Sequence, residues 1–337
     1  MPIIIHGSSA TPPVYGGHND GYEDYTSILV PVTLDDSRIT SITENGVPLA
    51  EDDEPAWAAG TTYAEGERVH VVSTHRVYES LKDGNAGKDP TKPASRFNVS
   101  GTPTWWAEVG PTNRRAAFDG LISTPTAGAS PLVFTLRPGP FNGFALFGLE
   151  GDSIEITART APGGAIIYMT GDIPLEGSAP ADWYEYFFDP FKPMTQFVAT
   201  GIQPYGASEL TITIRKGSGD AKVGMIAVGD MKAIGVPERN SRVSPKTYAY
   251  IAEDGYGNTT IRRRPSATNL SLALKVPLEN ADDVIQTVQN LLDVPVVVVG
   301  SVAQYHTKMS TFGLVSGEMD YSTYPDRTLN LSVRGFI

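Results

Sequence analysis

Apolar and polar positions alternate with a period of two through much of this chain. In "SIEITA" the residues Ile154 and Ile156 share one face, and in "LTITIR" Leu210, Ile212 and Ile214 do the same. Such alternation marks strands with one face buried and one wet. Between residues 130 and 236 segments of this kind recur with turn residues between them. They read "PLVFTLRPG", "GFALFGLEG", "DSIEITART", "GAIIYMTG", "WYEYFF", "TQFVATGI", "ELTITIRKG" and "KVGMIAVGD". Short strands at even spacing predict a β-sandwich.

The period changes once, in "LENADDVIQTVQNLLDV". Val284, Ile285, Val288, Leu291 and Leu292 make one apolar stripe at helical spacing, which predicts a helix over about 281–292. Asn280 is placed to cap it, and Asp282 and Asp283 sit in the first turn, where they complement the dipole. "VPVVVVG" follows as a strand covered on both faces. The chain closes with two strands about "YPD". At the other end, Ser27–Leu34 and Arg38–Thr43 read as strands about the turn signal "DDS". The acidic "EDDEP" at 51–55 reads as a solvated linker.

The fold class expected is mainly β and multi-domain. N-terminal strands occupy 1–50, a small aromatic β module 56–112, a β-sandwich 130–236, and an α+β domain with one main helix 240–337. The last has room to recruit the N-terminal strands.

Composition adds exclusions. The chain has 34 glycines and 26 prolines, which suit many turns and few long helices. Its net charge of −12 argues against a nucleic-acid groove, which needs a basic surface. It contains no cysteine, so disulfides and thiolate metal sites are excluded. No apolar run is long enough to span a bilayer. "MPIIIHGSS" lacks a basic start, which predicts a soluble product made in the cytoplasm and used without processing.

Little in the sequence points to catalysis, and no cofactor is expected. His70 and His75 are a close pair of histidines, but on one strand they face opposite sides, as polar surface residues of a hairpin. No hydrolase, zincin, Walker or dinucleotide fingerprint occurs. "GSGDAKVG" reads as a hairpin loop and "EDGYGN" as a turn lacking calcium-ligand spacing. Asp182 and Glu185 flank aromatic residues, but a glycosidase pair needs a cleft that sequence does not reveal. "TIRRRP" holds the basic cluster Arg262, Arg263 and Arg264, which in an acidic chain favours contact with carboxylates of a neighbouring protein.

The remaining concentration is aromatic. Trp57, Tyr63, Tyr78, Trp105 and Trp106 fall within one short stretch. Exposed flat rings stack on sugar faces; buried ones supply the core that so small a module needs. Neighbours on a strand point opposite ways, so one of Trp105 and Trp106 can be core and the other exposed. The order Trp57, Tyr63, Gly66, Glu67, Val69, Tyr78, Trp106 resembles the small chitin-binding-type carbohydrate module. That resemblance implies that the Tyr and Trp side chains form a sugar face, on a loop pattern altered by the long insert "NAGKDPTKPASRFNVSGTPT".

The run "VGPTNRRAAFDG", continued through "FALFGLEGDSIEIT", "DWYEYFFDP", "IAVGDMKAIG" and the closing "FGLVSGEMDYSTYPDRTLNLSVRGFI", is similar to tail proteins of long-tailed bacteriophages. What this implies is a non-enzymatic virion protein of the tail tip or baseplate. It would form a homo-oligomeric ring of about six copies, with other tail proteins as neighbours and host surface glycan as a further contact. Two other readings stay open: a glycan-binding adhesion module, and a polysaccharide-degrading enzyme.

Overall fold

A computed structural model describes residues 3–6, 24–51, 53–98, 100–175, 193–253, 259–262, 266–301, 309–322 and 325–336. The chain is mainly β, with 52% strand against 8% helix. The predicted strand "WYEYFF" and the carboxylates Asp182 and Glu185 lie outside the described residues.

Two large sheets dominate. One has six strands in the order Ile166–Pro174, Ser153–Arg159, Glu209–Arg215, Leu132–Leu136, Ile39–Glu44, Val47–Pro48. Along Ser153–Arg159 and Glu209–Arg215 burial alternates residue by residue, as the hydrophobic pattern requires. The inward side chains include Ile154, Ile156, Leu210, Ile212, Ile214 and Phe134. They share a core with Phe144, Phe197, Ile226 and Val228 of the other sheet. Phe144 stacks on Phe197 at 6.0 Å and meets Tyr168 edge-on at 5.8 Å.

The second sheet has ten strands and two roles. Its first part, Gln196–Thr200, Gly143–Phe147 and the beginning of Met225–Pro237, faces the six-stranded sheet. The long strand Met225–Pro237 then continues to a second core, to which it contributes Ile234. There it pairs with Thr26–Pro31, and the order runs on through Val296–Val299, Ser310–Asp320, Asp326–Gly335 and Ser266–Pro277. Leu274 and Lys275 of the last strand pair back onto Pro237 and Val236, so these strands close on themselves. Their apolar face, with Leu270, Leu272, Leu274, Leu329 and Leu331, forms one core with Val284, Val288 and Leu291.

The helix occupies Ala281–Asn290, two residues shorter than the pattern predicts. A 3-10 turn, Leu278–Asn280, leads into it, so Asn280 is already near helical geometry and makes no side-chain cap. Leu292 lies past the helix end and is exposed. Val296 to Val299 are fully buried, as expected of a strand covered on both faces. Val296 and Val298 serve the helix-side core, and Val297 and Val299 a third cluster with Leu29, Phe147 and Phe312.

Both N-terminal strands form, but they do not pair with each other: Thr26–Pro31 enters the ten-stranded sheet and Ile39–Glu44 the six-stranded one. The Gly-rich "GSGD" does not close a hairpin either. The strand before it belongs to the six-stranded sheet, and Ala221–Val223 after it pairs with Thr126–Gly128. A turn signal marks where the chain reverses, not which partner it meets.

Candidate functional site

The aromatic module is built on three antiparallel strands, Arg68–Val71, Arg76–Ser80 and Trp106–Pro111. The first two form the hairpin that the sequence predicts. Gly66 turns the chain into it at φ +84°, a conformation that suits glycine. The long insert is not an idle loop. Its Asn85–Ala86 pairs with Thr62–Tyr63, and its short helix Pro93–Arg96 accepts the Trp105 amide at the Ser95 carbonyl, 3.2 Å.

The structure divides the five candidate aromatics. Tyr63, Tyr78 and Trp106 are buried and form the module core with Val69. Tyr63 meets Trp106 edge-on at 5.3 Å, and the Trp106 indole donates to the Lys88 carbonyl at 2.7 Å. Trp57 and Trp105 pack against this core but stay half-buried. Adjacent tryptophans thus split between inside and outside, as strand geometry requires. A ring contact with any ligand falls to Trp57 and Trp105. They do not share an edge. Trp57 donates its amide to the His70 carbonyl on one edge strand, whereas Trp105 leads into the opposite edge strand.

Neither histidine is the polar surface residue that the sequence suggests. His70 is buried, with Nδ1 2.6 Å from the Glu54 carbonyl. His75 sits in the hairpin turn at φ +53°, which is strained for a non-glycine residue. Its Nδ1 lies 2.9 Å from both Glu51 oxygens and its Nε2 3.0 Å from Asp36 Oδ2. With both nitrogens engaged, none remains for a metal or for general-base work. Glu51 also accepts from Thr112 Oγ1 at 2.6 Å, and Arg115 pairs with Asp36. This network ties the module's turn to the 51–55 linker and to the loop at Asp36. Glu51, read from sequence as solvated, has a side chain only 10% exposed because His75 and Thr112 satisfy it.

A cleft of about 530 Å³ opens beside this network, lined by Leu34, Asp36, His75, Arg76, Arg115 and Asp119. Burial raises the Asp119 carboxyl above the usual aspartate range. That group is already committed, accepting from Thr124 Oγ1 and the Leu121 amide at 2.7 Å each. Asp36 shifts the other way, held below the usual range chiefly by its hydrogen bond to His75 and also by Arg115. A carboxylate with a depressed folded pKa stabilises above its unfolded value, and that contribution is lost as pH falls through the folded one. The module root is therefore expected to loosen in acid, below about pH 4. Protection factors of the Thr112 and Arg115 amides should fall there first. Asp36→Asn should lower them already at neutral pH and remove most of the acid dependence. A flat profile in the unaltered protein would refute the clamp.

Among the described residues no group of three or more His, Asp or Glu side chains could hold a metal ion, and no helix is long and apolar enough to cross a membrane. Of the basic cluster, Arg262 ends the exposed strand Thr259–Arg262, while Arg263 and Arg264 lie outside the described residues. No family model, no curated protein and no solved structure matches this chain.

Proposed function

We propose that this chain is a structural protein of a bacteriophage tail tip or baseplate. It assembles as a ring of copies, with neighbouring tail proteins docked on it and the aromatic module turned towards host surface glycan. In this reading the facing sheets are a β-sandwich domain. The closed strands with their helix are an assembly domain, and the module is a separate appendage.

One observation carries the reading. Tyr250–Glu253 and Thr259–Arg262 form a two-stranded hairpin whose residues are nearly all exposed. Ile251 and Ile261 face each other across it at 62% and 60% exposure. Among the described residues no third strand joins it, and a two-stranded hairpin is marginal alone in water. Paired exposed isoleucines gain by burial against another surface, about 25 cal/mol per Å² of apolar area. Beside the hairpin in sequence, Arg242–Thr247 is an exposed edge strand that, among the described residues, pairs only with Ser266–Pro277. Open edges are templates for pairing with another chain. A hairpin arm and an edge are different patches, and a contact between them is heterologous; repeated by rotation it closes a ring.

The test is native mass spectrometry of the full chain beside an Ile251→Asp, Ile261→Asp variant. The unaltered chain should form rings of about six copies. The variant should remain monomeric with an unchanged circular-dichroism spectrum. A wild-type chain that stays monomeric at tens of micromolar, and is absent from density in particles encoding it, would overturn the reading.

A further inference from the structure

The half-buried Trp105 carries two unmatched cations. Lys82 Nζ and Lys88 Nζ each lie 5.3 Å from the centroid of its ring. Both lysines are exposed, and among the described residues neither ammonium has a carboxylate partner. Acidic residues do stand next to both in sequence, but each is turned to another task. Asp83 accepts the Glu65 amide at 2.9 Å, and Asp89 accepts the amide and hydroxyl of Thr91 at 2.9 and 2.8 Å. The carboxylates nearest in sequence are thus held by neutral donors, and neither lysine is drawn away from Trp105 into an ion pair.

The backbone beneath is held in place. The buried Trp106 indole fixes the Lys88 carbonyl at 2.7 Å, and Ser80 Oγ fixes that of Lys82 at 3.0 Å. Buried Asn85 donates to Ser80 Oγ at 3.0 Å and to the Trp105 carbonyl at 3.2 Å. Bonds from buried side chains therefore hold the backbone from which the ring and both lysines extend. The ammonium groups themselves are free to swing, since an exposed cation–π contact is weak.

We propose that Trp105, Lys82 and Lys88 form a subsite for one acidic sugar unit. The ring takes the apolar face of the sugar, and the two ammonium groups leave the ring to bind its carboxylate or phosphate. A neutral sugar would have to displace the same cations and offer them no anion in return. The subsite rests on the reading that the module contacts glycan, and it names the chemical class of that glycan.

Calorimetric titration of the full chain tests it with three probes: an oligogalacturonate, a phosphorylated oligomannoside and a neutral chito-oligosaccharide. At least one acidic probe should bind about tenfold or more tighter than the neutral one, and the two acidic probes separate carboxylate from phosphate as the anion. The acidic binding should weaken when salt rises from about 0.05 to 0.5 M. Lys82→Gln with Lys88→Gln should erase the preference. Trp105→Ala should abolish binding while leaving amide protection across the module as in wild type. Equal binding of all three probes, unmoved by the lysine pair, sinks the subsite and leaves glycan contact standing. Absence of binding by every probe sinks both.

Discussion

Replacing Gly229 by Ala is expected to prevent stable folding of the two large sheets together. Gly229 is the residue at which the long strand Met225–Pro237 changes partners. It pairs with Gly143 of the strand facing the six-stranded sheet and with Pro31 of the strand that opens the closed ring. A Cβ there would run into the Val30 carbonyl oxygen, and would stand 2.9 Å from the Val30 carbonyl carbon and 3.1 Å from the Pro31 Cα. Every one of these obstacles is backbone, so no rotamer change relieves them. The strands must separate, and their ladder bonds with them. The cost should exceed ~4 kcal/mol, a size that few single substitutions reach. Expression as insoluble protein, or a urea midpoint far below wild type, is the readout. Gly206→Ala is the control, since a Cβ there meets nothing within 4 Å and its φ is ordinary. Similar midpoints for the two variants would show that the seam is not where the protein is held.

Trp106→Ala should instead unfold the aromatic module alone. The side chain is 1% exposed and is the largest member of a core that otherwise holds Tyr63, Val69 and Tyr78. Removing a buried Trp costs about 3–5 kcal/mol. Stability of folded chains runs at only ~0.1 kcal/mol per residue, so the loss is of the order of all that a unit so small possesses. The lost indole N–H also releases the Lys88 carbonyl. Hydrogen exchange should show protection collapsing in Arg68–Val71, Arg76–Ser80 and Trp106–Pro111. The strands Leu132–Leu136 and Ser153–Arg159 should keep theirs, because their core contains no module residue. Retained protection in the module would mean that Trp106 is not its keystone. A Trp106 variant is accordingly a probe of folding, and Trp105→Ala the probe of binding.

The two tryptophans show how far the sequence reaches. That one of a neighbouring pair is inside and the other partly outside is dictated by strand geometry. Which one is inside depends on where Tyr63 arrives, and that is set by pairing between Thr62–Tyr63 and Asn85–Ala86 across the insert. Likewise the hairpin at 68–80 is local and was legible. The clamp on His75 was not, because its partners Glu51 and Asp36 lie 24 and 39 residues away. Acidic runs such as "EDDEP" look solvated until a distant cation is brought to them. The same holds for Lys82 and Lys88, which meet at Trp105 only because the insert folds back on the strand that follows it.

By itself the sequence determined what depends on neighbours along the chain: a mainly β protein, many of its strands, the stripe of Val284, Val288 and Leu291, and a short stretch rich in aromatic residues. Period-two and helical spacing are short-range properties, since side-chain direction follows backbone geometry over a few residues. Only the tertiary structure decided how the strands are shared between sheets, that Met225–Pro237 pairs with three different strands, and which rings and charges face water. Those outcomes turn on pairing between segments far apart in the chain, where burial, backbone hydrogen bonds and the space left by Gly229 choose among partners that look alike in sequence.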